Sequence, residues 1–399
     1  MKFKQSIYLV SISILMGILG LVVIDFFLGK TYLNFSQRKF IPLESFDSGW
    51  YELKKSYVGS EKFGNRLYTV HTDTFGFRRN FNVNENKDNL GSSYDAIFLG
   101  DSFTYGSGVP NDQTVPSLFE NYSGLKSLNG GVASYSPTAY LYTYKKALKI
   151  KGLMSPRHKV LIGLDISDIQ DEAAIWMDGV SHPQKRNKGR PGRFFLEQDL
   201  EPKDPTKLQL LKSTIADRLP ITYRVYSLLK SKRGKIPAQE KFTDARIQTP
   251  PNNVLTLVRS AVTFQDWKVL NSGKYDSFSP LKIEGALIRI EDKLREIIEL
   301  AHKSGGEVYV YTYPWPPQVK FRTIERFAWD GWVREACRDL SCDGYLDVYS
   351  KVIKRSEESL NWYPLLYIPG DVHFNEKGNK FVAENVGKAL NFTQIESNS

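Results

Sequence analysis

The sequence predicts an α/β fold in which helices cover both faces of a parallel sheet. Short apolar runs that end at turn residues alternate with segments whose apolar residues recur at helical spacing. The chain has 399 residues, of which 41% are hydrophobic, so it can bury a large core. One long uncharged run, at the N-terminus, stands apart from this pattern.

Short apolar runs predict the strands. Tyr94–Leu99 is mostly apolar and stops at Gly100, which suits a strand buried on both faces of a sheet. Similar runs predict further strands at Leu125–Leu128, Val160–Leu164, Val308–Tyr313 and Tyr345–Val348.

Helices are predicted between these strands. Pro137 opens one that runs to about Ile150, because proline is favoured in the first helical turn. Apolar residues fall on one face of Ala286–His302, and the glycines that follow end that helix. The other two predicted helices are Asp112–Asn121 and Glu376–Leu390.

Residues 1–29 are predicted to form a membrane anchor. Ile7–Ile24 carries no charge, and about 20 such residues cross a bilayer core. Lys2 and Lys4 precede it, which favours a cytoplasmic N-terminus. We therefore expect a single-pass membrane protein whose main domain is extracytoplasmic, in the periplasm or at the cell surface. The alternative is a cleaved signal peptide, but no small-x-small cleavage site follows the run.

Three further segments are predicted from changes in composition. Residues 30–90 are polar and mixed, which indicates a juxtamembrane stem. The α/β pattern occupies residues 91–392, and a basic, mostly helical insertion interrupts it at about 170–285. Residues 182–235 hold fourteen basic and five acidic residues, which accounts for most of the formal net charge of +10. This stretch is a solvated face, a surface for anionic lipid headgroups, or a surface for an acidic glycan.

The sequence leaves the state of the two cysteines open. Cys337 and Cys342 lie close together in the chain. No histidine lies near them, so the two cysteines make a poor metal site. In an oxidising compartment they could close a small disulfide loop. Two unpaired thiols in or near a helix are the alternative.

The sharpest motif is the Gly-Asp-Ser at Gly100–Ser102, directly after the first predicted strand. A serine in this turn lies at the carboxyl edge of the sheet, where open α/β folds bind their ligands. Its hydroxyl needs a base within hydrogen-bond reach to act as a nucleophile. Asp101 could contact the oxyanion-binding backbone, although a role in capping the turn is the preferred interpretation.

A second motif supplies that base. Asp371 and His373 are two residues apart just before the last predicted helix, so one loop can present both side chains. Asp371 can then orient one ring nitrogen of His373, while the other accepts the proton of Ser102. Trp315, in the proline-rich segment after the strand at Val308–Tyr313, either lines the substrate pocket or belongs to the core.

Together the two motifs resemble the SGNH/GDSL hydrolase superfamily, over roughly residues 94–165 and 286–390. The resemblance implies a three-layer α/β/α sandwich with a central parallel sheet, and a serine hydrolase that acts on ester bonds. Many members have one more residue between the aspartate and the histidine than this chain has between Asp371 and His373.

The resemblance also implies an oxyanion hole. Its donors would be the backbone N–H groups of Ser102 and of Gly131, which best matches the glycine of the second family block. The third block usually contains Asn-Asp, but this chain has Ser167-Asp168 there. Ser167 either replaces the asparagine as a donor or leaves the site weaker, since losing one such donor typically costs about 10²–10³ in rate.

The sequence thus predicts a serine esterase or an O-acyltransferase of SGNH/GDSL type. Its expected partner is an acyl ester of an envelope or secreted polysaccharide, and no cofactor, metal or nucleic acid is expected. The alternative is a non-catalytic, membrane-tethered protein that keeps the fold and binds or assembles glycans.

Overall fold

A computed structural model describes residues 43–45, 51–63, 66–81, 93–174, 176–177, 180–181, 258–264, 266–272, 278 and 280–397, with scattered positions between 13 and 25. The chain divides into two compact units, Met1–Lys39 with Leu200–Phe242, and Phe40–Asp199 with Thr243–Ser399. The sheet and the candidate site belong to the second unit.

The strands of the described residues form one larger sheet and three two-stranded ribbons. In chain order they are β1 (Leu43–Ser45), β2 (Tyr51–Leu53), β3 (Val58–Phe63), β4 (Arg66–His71), β5 (Tyr94–Leu99), β6 (Ser127–Asn129), β7 (Met154–Leu164), β8 (Trp176–Met177), β9 (Val180–Ser181), β10 (Glu307–Thr312) and β11 (Gly344–Leu346).

Along the chain, most of the helices come between the strands of the larger sheet. They are α1 (Ser102–Tyr105), α2 (Val115–Ser123), α3 (Pro137–Lys149), α4 (Ser167–Ala174), α5 (Val258–Phe264), α6 (Trp267–Ser272), α7 (Lys282–Lys303), α8 (Pro316–Lys320), α9 (Trp329–Asp339), α10 (Tyr349–Glu357), α11 (Trp362–Leu366) and α12 (Glu376–Ser397).

The larger sheet has five strands in the order β11-β10-β7-β5-β6, and every neighbouring pair is parallel. Its central strands are deeply buried, since the last four residues of β5 have no exposed surface. Helix α7 packs on α3 and α4, while α12 packs on α2, α10 and α11. The prediction of an α/β fold with a central parallel sheet is therefore confirmed.

Several element boundaries differ from those predicted. Strand β7 begins at Met154, six residues before the predicted start, because its first half has exposed residues and lacks the apolar signal. The helix predicted from Asp112 begins as the 3₁₀ turn Asn111–Gln113, and α2 follows with Thr114 as its N-cap. Helix α7 begins four residues earlier than predicted, at Lys282.

Residues 51–63 and 66–81 pack into the α/β body, upstream of the predicted domain boundary at residue 91. Leu53, Val70 and Phe77 are buried in the same hydrophobic core as the sheet. An isolated bridge pairs Arg78 with Asn129 of β6. This segment therefore differs from the polar stem expected from its composition, because several of its apolar residues are buried against the body, although Val58 and Leu67 stay exposed.

Two predicted segments lie mostly outside the described residues. These are the anchor at 1–29 and the basic stretch at 182–235 within the insertion. In the part of the chain that the structure describes, no helix combines the length and the apolar character that crossing a bilayer requires. The two cysteines lie inside the described part, and the sulfur atoms of Cys337 and Cys342 are bonded to each other.

Candidate active site

Ser102 is the first residue of α1, at the carboxyl end of β5. Asp101 caps this helix, and its carboxylate accepts the backbone N–H of Phe103 at 2.9 Å. Gly100 permits the tight turn, since a Cβ there would lie 2.0 Å from the hydroxyl oxygen of Thr104. The turn therefore presents the Ser102 side chain at the sheet edge, and Asp101 has the capping role preferred from the sequence.

Asp371 and His373 lie in the short loop before α12. This loop folds back on itself, with Ile368 N–H donating to the carbonyl of His373 at 2.9 Å. Asn375 anchors its other end, because its side-chain amide donates to the carbonyls of Pro364 and Tyr367. The side-chain oxygen of Asn375 also accepts two backbone N–H groups at the start of α12. These bonds fix the direction in which the loop enters the helix.

The structure brings the three predicted catalytic residues into one hydrogen-bonded chain. His373 Nε2 lies 2.7 Å from Ser102 Oγ, and His373 Nδ1 lies 2.5 Å from Asp371 Oδ1. Asp371 Oδ1 also accepts its neighbours' backbone N–H groups, from Val372 at 2.7 Å and from His373 at 3.1 Å. In this arrangement the aspartate orients the imidazole, and the second ring nitrogen is positioned to accept the serine proton.

The surroundings of His373 favour its protonated form. Burial lowers the pKa of His373, but the adjacent carboxylate of Asp371 raises it, and Asp101 and Asp165 add to that effect. The net result is a pKa above the usual 6.5. A base with a raised pKa accepts a proton more readily, but it is neutral and available only at higher pH.

Two of the three predicted oxyanion donors are engaged within the protein. The N–H of Gly131 donates to the side-chain oxygen of Asn129 at 3.0 Å. The hydroxyl of Ser167 donates to Asp165 at 2.6 Å, and its backbone N–H donates to the same oxygen at 2.7 Å. Gly131 has a packing role instead, because a Cβ there would lie 2.2 Å from the backbone nitrogen of Tyr105.

Ser134 is a residue of this edge that the sequence analysis did not select. The loop after β6 continues beside the turn after β5, with Gly130 N–H bonded to Phe98 O and Val132 N–H bonded to Gly100 O. Two residues further along the two segments stand Ser134 and Ser102. The backbone of Ser134 has a left-handed φ of 59°. The two bonded pairs keep the same offset along the chain, and this offset also relates Ser134 to Ser102. It could point to Ser134 only once the pairing of β5 with β6 is known.

Asp165 and Trp315 form the floor beside the site. The indole N–H of Trp315 donates to the second oxygen of Asp165 at 2.9 Å, and Trp315 is only 7% exposed. The ring of Phe103 separates Trp315 from His373, at centroid distances of 6.4 Å and 4.7 Å respectively. Trp315 therefore belongs to the packed layer beneath the site, which is the core alternative considered from the sequence.

The described residues contain no group of three His, Cys, Asp or Glu side chains arranged to hold a metal ion. The chemistry available from the residues present is nucleophilic attack by Ser102 with base assistance from His373.

No known protein family model matches the chain, and no curated protein matches it in sequence. Similar solved structures include a protein assigned to the G-D-S-L family of lipolytic proteins from Desulfitobacterium hafniense, with 11% identity and a TM-score of 0.36, covering 74% of this chain and 98% of that one. Another is an acetylxylan esterase from Geobacillus stearothermophilus, with 11% identity and a TM-score of 0.32, covering 75% and 94%.

A third is an α/β hydrolase from the metagenome of Lake Arreo, with 11% identity and a TM-score of 0.35, covering 75% of this chain and 96% of that one. The present chain resembles the SGNH/GDSL hydrolases in its five-stranded parallel sheet, in a serine after the first strand of that sheet, and in a histidine before the last helix.

Proposed function

We propose that the chain is a serine esterase or O-acyltransferase that works through a seryl ester. The observation that supports this proposal is the hydrogen-bonded chain from Asp371 through His373 to Ser102, with distances of 2.5 Å and 2.7 Å. An imidazole held between a carboxylate and a serine hydroxyl is suited to moving the serine proton.

In the first half of the reaction, Ser102 Oγ attacks the ester carbonyl while His373 Nε2 accepts the hydroxyl proton. The tetrahedral intermediate then expels the alcohol, which takes that proton from His373, and the acyl group remains on Ser102. In the second half, water or a sugar hydroxyl attacks the seryl ester and gives its proton to His373, which passes it to Ser102 Oγ as the bond between the acyl group and Oγ breaks. Water yields the free acid, and a sugar hydroxyl yields a new ester.

We assign the oxyanion contact to the backbone N–H groups of Ser102 and Ser134. The loop of Ser134 runs beside the nucleophile turn through the bonds from Gly130 and Val132. The carbonyl of Ala133, which shares a peptide group with the N–H of Ser134, accepts the hydroxyl of Tyr51 at 2.8 Å, and this bond helps to fix the plane of that peptide. Backbone donors held in this way need no reorganisation when charge develops on the oxygen.

The substrate that we propose is an acyl ester of an envelope or secreted polysaccharide. The apolar run at Ile7–Ile24 supports a membrane tether, which would bring the site close to a polymer of the cell envelope. The bond between Cys337 and Cys342 supports an oxidising compartment outside the cytoplasm. A single-pass, extracytoplasmic location is accordingly part of this proposal.

One observation favours a second candidate, a non-catalytic glycan-binding or assembly protein. The N–H of Gly131 and the hydroxyl of Ser167 donate to Asn129 and Asp165, so the two family-type donors point into the protein. A protein with a poor oxyanion hole could keep this fold and bind an acylated glycan without hydrolysing or transferring its acyl group.

Labelling with a fluorophosphonate probe separates the two candidates. We expect the wild-type protein to be labelled covalently, because the probe reports a serine activated by a base. Ser102→Ala should remove the label, whereas Ser350→Ala, at an exposed position in α10, should keep it. A folded wild-type protein that remains unlabelled would support the non-catalytic candidate.

A further inference from the structure

The hairpin formed by β3 and β4 has two different faces. Outward, Val58 and Leu67 are 64% and 72% exposed. Inward, Glu61 is 2% exposed and lies directly opposite Tyr68 in the strand pairing. Because side chains alternate along a strand, Glu61 and Phe63 share the inward face. This face contacts both loops that carry the candidate catalytic residues.

The first contact is with the nucleophile segment. The carboxylate of Glu61 accepts the hydroxyl of Tyr105, the last residue of α1, at 2.8 Å. The hydroxyl of Tyr68, which lies opposite Glu61 in the hairpin, accepts the backbone N–H of Gly108 at 2.8 Å. Two side chains of the hairpin therefore hold both ends of the segment that follows Ser102.

The second contact is with the histidine loop. The ring of Phe63 meets the imidazole of His373 edge-on, with centroids 5.2 Å apart and planes at 88°. Arg66, opposite Phe63 in the hairpin, pairs with Glu376 at the start of α12. The centroid of the imidazole also lies 4.7 Å from that of the Phe103 ring, so two aromatic rings contact it.

We propose that the β3–β4 hairpin sets the distance between Ser102 and His373, with Glu61 and Phe63 as its positioning residues. The two catalytic side chains are 271 positions apart in the chain, and the loops that carry them leave different strands and helices. A hydrogen bond between them persists only if both loops are held to a common support. The proposal rests on the proposed function, because it assigns these residues a part in the same site.

The chemistry of the contact distinguishes a positioning role from general packing. A buried carboxyl group costs free energy unless its oxygens accept hydrogen bonds, and Glu61 accepts the hydroxyl of Tyr105. An apolar residue of similar size would fill the space without specifying a direction. Hydrogen bonds specify both the distance and the direction of Tyr105, and a displacement of about 1 Å can cost about 10² in rate.

The test compares inward and outward variants of the same hairpin. We expect Phe63→Ala and Glu61→Ala each to lower kcat for an aryl acetate about tenfold or more, with KM changing less than about twofold. Phe63→Leu keeps most of the side-chain bulk, and Glu61→Gln keeps one hydrogen-bond acceptor. Both variants should therefore retain most of the wild-type activity. Leu67→Ala, on the exposed face, is the matched control and should leave kcat, KM and the unfolding temperature near the wild-type values.

A spectroscopic measurement makes the test independent of turnover. The proton between His373 Nδ1 and Asp371 should give a separate low-field NMR signal in the wild-type protein. In Phe63→Ala it should broaden through exchange with water, while the unfolding temperature stays well above that of the assay. If the wild-type protein shows neither fluorophosphonate labelling nor turnover, the proposed function fails. The low-field NMR signal still tests whether the hairpin positions His373 in that case.

Two results would overturn the positioning role. One is a kcat for Phe63→Ala and Glu61→Ala within about twofold of Leu67→Ala, with the low-field signal unchanged. The other is a loss of activity that follows the loss of folded protein and is not restored by Phe63→Leu or Glu61→Gln. Either outcome would mean that Glu61 and Phe63 contribute to packing and do not position the catalytic residues.

Discussion

The hydroxyl of Ser167 donates to the carboxylate of Asp165 across 2.6 Å, and the other oxygen of Asp165 accepts the indole N–H of Trp315. Ser167 thus stabilises the floor of the site, and its hydroxyl proton is not directed at a substrate. We expect Ser167→Ala to lower kcat less than about tenfold, below the 10²–10³ that is typical when an oxyanion donor is lost. Steady-state kinetics with an aryl acetate measures the difference.

Ser167→Asn is the companion variant, because it restores the usual family residue. An asparagine amide is larger than the hydroxyl and has to compete with Asp165 for its hydrogens. A loss of a hundredfold in Ser167→Ala together with full activity in Ser167→Asn would show that Ser167 is an oxyanion donor, contrary to this prediction.

The pH dependence of the rate should follow His373. Burial lowers its pKa, but Asp371 raises it, with further contributions from Asp101 and Asp165, so that it lies above 6.5. The base must be neutral, and a raised pKa moves the neutral form to higher pH. We therefore expect kcat/KM to rise with pH through a midpoint above 6.5. A midpoint at or below 6.5 would contradict this prediction.

Asp101→Asn tests the electrostatic part of this account. The asparagine oxygen can still accept the N–H of Phe103 and cap the turn, but the negative charge near His373 is gone. The midpoint of the pH profile should therefore move to lower pH than in the wild-type protein. An unchanged midpoint in a folded variant would show that Asp101 has only its capping role.

The catalytic residues should act as a unit. Ser102→Ala and His373→Ala should each remove nearly all activity, because either change breaks the bond between Oγ and Nε2. The double variant should be little worse than either single variant, since triad members are strongly non-additive. Additive losses would mean that Ser102 and His373 contribute independently.

Arg78 should be important for stability. Its guanidinium is 1% exposed and donates to the carbonyls of Tyr105, Gly106 and Val109 and to the side chain of Asn111. Arg78→Met removes all four of these hydrogen bonds, and each buried acceptor that is left unsatisfied costs about 1–3 kcal/mol. We expect the free energy of unfolding to fall by about 3 kcal/mol or more in urea denaturation.

Arg157→Met, at an exposed position of β7, is the control for Arg78→Met and should change stability by about 0.5 kcal/mol at most. An equally small effect of Arg78→Met would mean that water replaces the guanidinium.

The disulfide should contribute modestly to stability. Cys337 and Cys342 close a loop with a sequence separation of 5, and loop-closure entropy for so short a loop corresponds to about 2 kcal/mol. The variant with both cysteines changed to alanine should lose about that amount. Dithiothreitol should destabilise the wild-type protein equally and leave the variant unaffected. Two thiols that react with maleimide before reduction, in unfolded protein, would contradict the bond.

Local patterns in the sequence were enough to predict the core strands and the catalytic motifs. Strand β5 showed a continuous apolar run because it is buried on both faces, and helix α7 showed helical periodicity because one stripe of it is buried. The start of β7 was missed because exposed residues there carry no periodic signal. Ser102, Asp371 and His373 were predicted because each stands beside a recognisable strand end or helix start.

By itself the sequence determined which residues could act as nucleophile, base and orienting acid, and that they belong to an α/β fold. Only the tertiary structure decided what supports them. Glu61 accepts the hydroxyl of Tyr105 across 44 positions, and the hydroxyl of Ser167 donates to Asp165. Periodicity reports which face of an element is buried, whereas long-range hydrogen bonds depend on how separate elements dock, and short-range sequence patterns do not encode that docking.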